Sequence, residues 1–225
     1  QSGKLHRASW EAIAAAQELA GALPVEAIVM GANPSGAANE ISQAAIAAVH
    51  VVDSPLLEPY TPHGYTDALH KAILNLQPTH VVLPHTYRTR DFAPKVAARL
   101  DRALITDCVG LKKGAKPTFL RPVFQGNLIS EVTGEGEYPH FVTVQIGAYR
   151  ADNVKRGWAA VAVKSLTVSI DASAVRQQAE EPFQEAKHAV DLSQAERIVA
   201  VGRGIKGQEH IALAEKLASA LGAQL

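Results

Sequence analysis

Apolar and polar positions along the first half of the chain follow two alternating periods, that of an amphipathic helix and that of a short buried strand. Residues 8–21 are alanine-rich and amphipathic, with Ser9 or a neighbour placed to cap the start. Residues 25–30 form an apolar run, read as a buried strand ending in the loop Gly31-Ala32-Asn33-Pro34-Ser35-Gly36. The pattern then predicts a helix over 39–48, a short strand over 50–53 and a helix over 66–76. A strand over 80–85 (HVVLPH), a helix over 91–100 and a strand over 103–106 follow. Repeated helix and strand units with short joints predict an α/β fold whose parallel sheet is covered on both faces.

The pattern changes after Cys108. Up to Ile146 no helical period occurs, and PTFLRPVF, NLISEV and HFVTVQIG read as short strands broken by Gly110, Gly114, Gly126, Gly134 and Gly136. These predict antiparallel hairpins continuing the sheet. Residues 161–171 read as one further strand, and 172–190, polar and interrupted by Pro182, as a surface linker. After Asp191 the α/β grammar restarts with a buried strand over 198–201, the loop 202–207 and a helix over 208–221. One strand and one helix cannot bury their own faces, so this piece is expected to open a second domain. The expected division is 1–187 and 188–225.

With 225 residues, 47% of them hydrophobic, the chain carries enough apolar surface for one or two cores. Lysine plus arginine equals aspartate plus glutamate at 22 each, and no block of like charge stands out. This argues against a general nucleic-acid or membrane-surface role. A single cysteine, Cys108, excludes an internal disulfide and fits a reducing compartment. No apolar run reaches membrane-spanning length and no signal peptide is visible. Gln1 in place of Met predicts a start inside a longer protein.

Three places hold candidate chemistry. Gly202-Arg203-Gly204-Ile205-Lys206-Gly207 fits G-x-G-x-x-G between a predicted strand and helix. Such a loop serves either a phosphate or close helix-to-strand packing, and Arg203 adds a cation where anions bind. His63, His80 and His85 lie at or near strand ends and form no metal-binding spacing. His85-Thr86-Tyr87-Arg88-Thr89-Arg90-Asp91 follows a strand at the sheet's carboxyl edge, where α/β ligands sit. Arg88 and Arg90 are placed to hold phosphate or to pair with a partner's carboxylates, and Asp91 to cap the next helix. No serine sits in a nucleophile elbow, and Cys108 has no activating base beside it in sequence. No residue is therefore assigned a catalytic or metal-binding role.

In order along nearly the whole chain, five stretches resemble the alpha subunit of electron transfer flavoprotein. GKLHRASWEAIAAAQELAG looks like that family's first helix, and VVDSPLLEPYTPHGYTDAL is similar to its Asp-Ser-Pro segment. VVLPHTYRTRDFAPKVAARLDRALITD, LRPVFQGNLISEV and VAVGRGIKG resemble its loop-to-helix run, its Arg-Pro-x-aromatic-x-Gly-Asn pattern and the Gly-Arg-Gly entrance to its flavin domain. Thr89, Gln125 and Gln145 depart from that pattern, where glycine, a small residue and an arginine are usual.

The resemblance implies an adenine nucleotide alpha hydrolase-like first domain, nucleotide-binding in form, with an antiparallel extension. The first strand and helix of a truncated, Rossmann-like FAD domain follow it. It implies FAD as cofactor, with Arg203 and Gly204 in its site and most other contacts beyond Leu225, and AMP only in the beta subunit. The function implied is an electron carrier, not an enzyme, with the chemistry residing in the flavin. Its partners would be the beta subunit, flavin dehydrogenases such as those of fatty acid β-oxidation, and a quinone-linked oxidoreductase, without nucleic acid or membrane insertion. The implied location is bacterial cytoplasm, or the mitochondrial matrix in a eukaryote. Two alternatives are an NAD-linked oxidoreductase using Gly202, Gly204 and Gly207, and an adenine-nucleotide module of universal-stress type using 31–36 and 85–90.

Overall fold

A computed structural model describes residues 5–114, 116–180 and 195–225. The chain forms two compact units, Gln1–Ala179 and Glu180–Leu225. In the first, β1 (Glu26–Gly31), β2 (Ala48–Asp53) and β9 (Val163–Ser165) run parallel in the order β1-β2-β9. A second parallel set has the order β3-β8-β4, from β3 (His80–Pro84), β8 (His140–Val144) and β4 (Leu104–Cys108). The third sheet is antiparallel: β5 (Gly110–Lys112), β6 (Thr118–Val123) and β7 (Leu128–Thr133).

Side-chain alternation along the strands decides which helix covers which face. Helix α1 (Arg7–Ala20) lays Ile13 and Ala14 on Val29, Val49 and Val51, and its Ala12 and Ala15 on Ile105, Val142 and Val144. Its run of alanines allows that close approach. On the other face α3 (Pro62–Leu76) and α4 (Tyr87–Arg99) bring Leu69, Ile73, Phe92 and Val96 against Val81 and Phe141. Ile28 and Met30 of β1 pack against this second face while Val29 packs against the first. The parallel strands are thus covered on both sides, as the apolar runs predict.

Four expectations are corrected. Residues 39–48 are not one helix: α2 is Ser35–Ile41, and Ala48 already opens β2. Alanine's helical propensity loses there to tertiary pairing. Ala45 N–H donates to the Lys155 carbonyl and Ala47 N–H to the Val25 carbonyl, both at 2.7 Å, and Gln17 clips the same turn through Ala45 and Lys155. The segment HFVTVQIG is not a hairpin arm, because β8 lies parallel between β3 and β4. Its Phe141, Val142, Thr143 and Val144 are all buried, a continuous run suited to a central strand. The strand expected over 161–171 shrinks to β9, since Leu166 N–H makes the last bond to β2, at the Val51 carbonyl. Beyond it Leu166, Val168 and Ile170 lie on α3 instead. Finally, the caps differ. His6 Nδ1, not Ser9, accepts from Ala8 N–H at the start of α1, and Thr86, not Asp91, caps α4. The linker expected over 172–190 lies outside the described residues from 181 onward; Asp171 caps a short turn at Ala172–Ala174.

Asp67 staples the helical face together. Its carboxylate accepts from Lys71 at 2.8 Å, from Arg99 of α4 at 3.3 Å and from the Asp171 backbone N–H at 3.0 Å. Burial pushes its pKa up, but the hydrogen bonds from Lys71 and Asp171 and the two cationic charges outweigh it, and the net shift is downward. A carboxyl with a lowered pKa in the folded state stabilises the fold above its unfolded pKa, about 3.9, and that stabilisation is lost as pH falls through the folded value. Asp67→Asn is expected to lower the unfolding free energy at pH 7, with the difference from wild type shrinking below about pH 4. Urea unfolding across that range checks it, and a difference independent of pH would show that the charge does not matter.

Candidate functional site

In the second unit the glycine loop has an irregular path. Gly202 is extended, Arg203–Ile205 makes one tight turn, and Lys206 takes a left-handed conformation at φ 66°. The expected strand over 198–201 does not form: a single parallel bridge joins Ile198 to Gln224. Ile198 and Val201 stand 51% and 43% exposed, because a strand needs partners on its edges and, among the described residues of this unit, Gln224 alone forms a bridge to this run. Residues 208–210 make a separate turn before α5 (Ile211–Leu221). A Cβ added at Gly202 or Gly204 would meet no atom within 4 Å, so the space over that part of the loop is open, whereas at Gly207 it would meet the Glu209 carboxylate. Arg203 is exposed, and among the described residues its guanidinium has no ion pair or hydrogen bond. Backbone and cation are free to face an anionic group.

The first unit gathers a polar group at the carboxyl ends of β3, β8 and β4. Thr143, 1% exposed on β8, accepts from the Asp107 N–H at 3.0 Å and meets His85 Nδ1 at 2.8 Å. The register of β4 on β8 shifts between Ile105 and Cys108, and Asp107 sits in that bulge at φ 60°. The bulge turns the Asp107 N–H onto the threonine and its carboxylate toward Gln145 Nε2 at 3.4 Å. His85 Nε2 lies 3.9 Å from Asp107. Burial holds the His85 pKa below its ordinary value; Asp107 opposes this and Arg90 and Arg121 reinforce it. The imidazole is therefore neutral at pH 7.

This edge lacks a phosphate cradle. The loop over 31–36 spends its Asn33 N–H on the Asp53 carboxylate at 2.9 Å, which repels an anion, and α2 behind it has seven residues. At the start of α4 the Thr86 hydroxyl takes the Thr89 N–H, and Tyr60 donates to Asp91. Burial and then the Asp91 carboxylate raise the Tyr60 pKa, so its proton stays in place. Of the other histidines, His63 and His80 each bury one ring nitrogen without a partner, and among the described residues no group of three or more His, Cys, Asp or Glu side chains is placed to hold a metal ion. No helix of the described residues is long and apolar enough to cross a membrane.

The chain belongs to the electron transfer flavoprotein family. Residues 1–171 match the electron transfer flavoprotein domain and 191–225 the electron transfer flavoprotein FAD-binding domain. It is 31% identical to the electron transfer flavoprotein subunit alpha of Bacillus subtilis, covering 99% of this chain and 68% of that protein. The subunit alpha of Thermoanaerobacterium thermosaccharolyticum gives the same identity and coverage. It is also 31% identical to the lactate dehydrogenase (NAD(+),ferredoxin) subunit LctC of Acetobacterium woodii, over 98% of this chain but 53% of that protein. The chain thus spans about half to two thirds of the relatives it matches. Neither the NAD-linked nor the universal-stress alternative is favoured.

Thr143 and Asp107 are absent from the sequence-derived candidates, although one polar residue inside the apolar run FVTV was a signal for the first. Replacing the hydroxyl in Thr143→Val strands the Asp107 N–H and is expected to cost about 1–3 kcal/mol, read by urea unfolding; an unchanged stability would show that another acceptor takes over. Cys108 is buried at 1% exposure, and burial pushes its thiol up to about 11. A maleimide or disulfide reagent at pH 8 is expected to leave it unmodified in the folded chain and to label it fully in urea. Rapid labelling of the folded protein would contradict that burial.

Proposed function

We propose that the chain is the alpha subunit of a heterodimeric electron carrier that receives electrons from dehydrogenases and passes them to a downstream acceptor. The carrying observation is the match of 191–225 to the FAD-binding domain, on a loop whose Arg203 has no ion pair among the described residues and whose Gly202 and Gly204 face open space. In this reading the first unit, up to about residue 187, is the adenine nucleotide alpha hydrolase-like body that meets the beta subunit, and 188–225 opens a Rossmann-like FAD domain. AMP belongs with the beta subunit, in keeping with the Asp53 carboxylate that fills the first unit's own loop.

FAD, when bound, supplies the electron chemistry at its isoalloxazine ring. The chain's own part is binding and electrostatics. Gly204 lets the backbone approach closely, and Arg203 places a positive charge that favours electron density on the ring. No acid, base or nucleophile of this chain takes part, so the subunit is a carrier and not an enzyme.

The test is the visible absorbance of the protein as its own source makes it, purified with the beta subunit and FAD. Flavin bands that persist through gel filtration are expected, and Arg203→Gln is expected to lower the flavin's reduction potential while leaving heterodimer formation unchanged. A sample that stays colourless with both components would overturn the carrier reading and leave only a docking body.

A further inference from the structure

Two histidines begin neighbouring strands at the amino-terminal end of the β3-β8-β4 sheet. His80 opens β3, His140 opens β8, and the two are register partners. Alternation along each strand puts them on the face of Val82 and Val142, opposite Val81 and Phe141. Their ring centroids lie 5.6 Å apart, and Tyr138 completes a triad at 5.9 Å from His80 and 5.0 Å from His140. His80 Nδ1 meets the Thr79 hydroxyl at 3.1 Å, whereas its Nε2 is buried with no hydrogen-bond partner among the described residues.

The segment 134–139, which carries the chain from β7 into β8, is built around these rings. A Cβ at Gly134 would come within 2.9 Å of the His140 ring, so a larger residue there would push the imidazole aside. Arg102 donates to the Tyr138 carbonyl at 3.0 Å and to the Glu137 carboxylate at 2.6 Å. Lys116 holds Glu135 at 2.9 Å. Both carboxylates are exposed, where ion pairs hold weakly. The inner fastening of the segment is therefore the ring triad.

A proton on this triad finds no carboxylate. Burial, and then the charge of His140, hold the His80 pKa below the ordinary histidine value of about 6.5. The charged groups on the surrounding elements are engaged elsewhere. On α1, Glu11 is held by Arg7 and the Gly147 N–H, and Glu18 bears on Tyr149. On the antiparallel sheet Lys112 and Lys116 hold Glu131 and Glu135, and Arg121 bears on His85. The turn after α4 carries Asp101 and Arg102, and Arg102 is spent on Glu137 and on the Asp101 and Tyr138 carbonyls. Across the sheet Asp67, Lys71 and Arg99 answer one another with His70 among them, and Lys95 holds Asp91. Of all these groups His140 is the one whose charge bears on His80, and it repels a proton there.

We propose that His80, Tyr138 and His140 form an acid-sensitive latch that holds the segment 134–139 closed over the entry of β8. With both imidazoles neutral, the three rings pack at tilted angles and the segment stays on the sheet. A proton on His80 is solvated only when the ring reaches water, and water reaches it when the segment lifts. Opening therefore takes up a proton. The latch is fully closed above about pH 6.5, the value of a solvated histidine, and loses its hold as pH falls below it. Lifting the segment also frees the first rung of the β3–β8 ladder, where the His140 N–H donates to the Thr79 carbonyl at 2.9 Å. The latch thus couples pH to how firmly the central strand is held.

Amide hydrogen exchange of the full protein, followed by mass spectrometry at about pH 7 and about pH 5.5 and corrected for the intrinsic rate, tests the latch. Peptides spanning 134–142 are expected to open up to about tenfold more at the lower pH, while those of α4 do not change. His80→Phe keeps a ring in the stack that cannot be charged, and is expected to abolish the acid response. His70→Gln, on α3 across the sheet, should retain it. Circular dichroism and thermal midpoints at about pH 7 equal to wild type establish that the variants fold. An NMR titration of the wild-type His80 ring gives a reading that needs no variant, with a midpoint expected below about 6.5. Exchange over 134–142 that is the same at both pH values in the wild type would overturn the latch. So would a His80 midpoint at or above that value, or an undiminished acid response in folded His80→Phe.

Discussion

The insertion of β8 between β3 and β4 is the constraint on which the rest of the first unit depends. Its partners come from earlier α/β units, while it arrives only after the antiparallel excursion of β5, β6 and β7. Until it is in place, β3 and β4 have no ladder between them, and the apolar side chains of α1, α3 and α4 have no common floor. Phe141 fills one face of that floor, and Val142 and Val144 the other. Pairings of such high sequence separation are costly in loop entropy and form late. The reward is four consecutive buried residues that join two helical layers through one strand.

The same insertion explains the polar group at the carboxyl edge. A threonine in the middle of a buried strand must satisfy its hydroxyl nearby. Thr143 does so by drawing in His85, the residue just after β3, and the Asp107 N–H from β4. The extra residue in β4 makes this geometry available, with Asp107 held at a positive φ that non-glycine residues rarely adopt. The edge is therefore tied together by side chains where an open α/β sheet would present a ligand crevice. The Asp53 carboxylate likewise takes the Asn33 N–H of the loop after β1, so polar groups at the carboxyl ends of these strands are answered within the first unit.

Much of this was legible in the residues. The amphipathic period of α1 and the apolar runs of β1 and β3 follow from local pattern, and the structure keeps them. What was hidden was relational. The sequence HFVTV has the same local appearance in a hairpin as in a central strand, and only the arrival of β3 and β4 on its two sides decides between them. Residues 42–47 are as helical by composition as α1, but backbone partners at Lys155 and Val25 claim their N–H groups. The run 198–201 has the composition of a buried strand, and among the described residues it finds only the bridge to Gln224. In each case propensity is a property of the segment, and the outcome is set by what lies next to it.

Charge follows the same logic. A balance of 22 basic and 22 acidic residues does not show where charge is answered, because net charge says nothing about which cations have found their carboxylates. Asp67 and Glu137 neutralise one end of α4 and its following turn, while the arginines of the first turn rest on tyrosines. An aromatic face orients a guanidinium without discharging it. Among the described residues Arg203 of the second unit has no ion pair either. On the proposed reading the chemistry belongs to a bound flavin, and such a chain has little use for acids and bases of its own. The functional content of such a chain is carried by where it leaves positive charge unanswered.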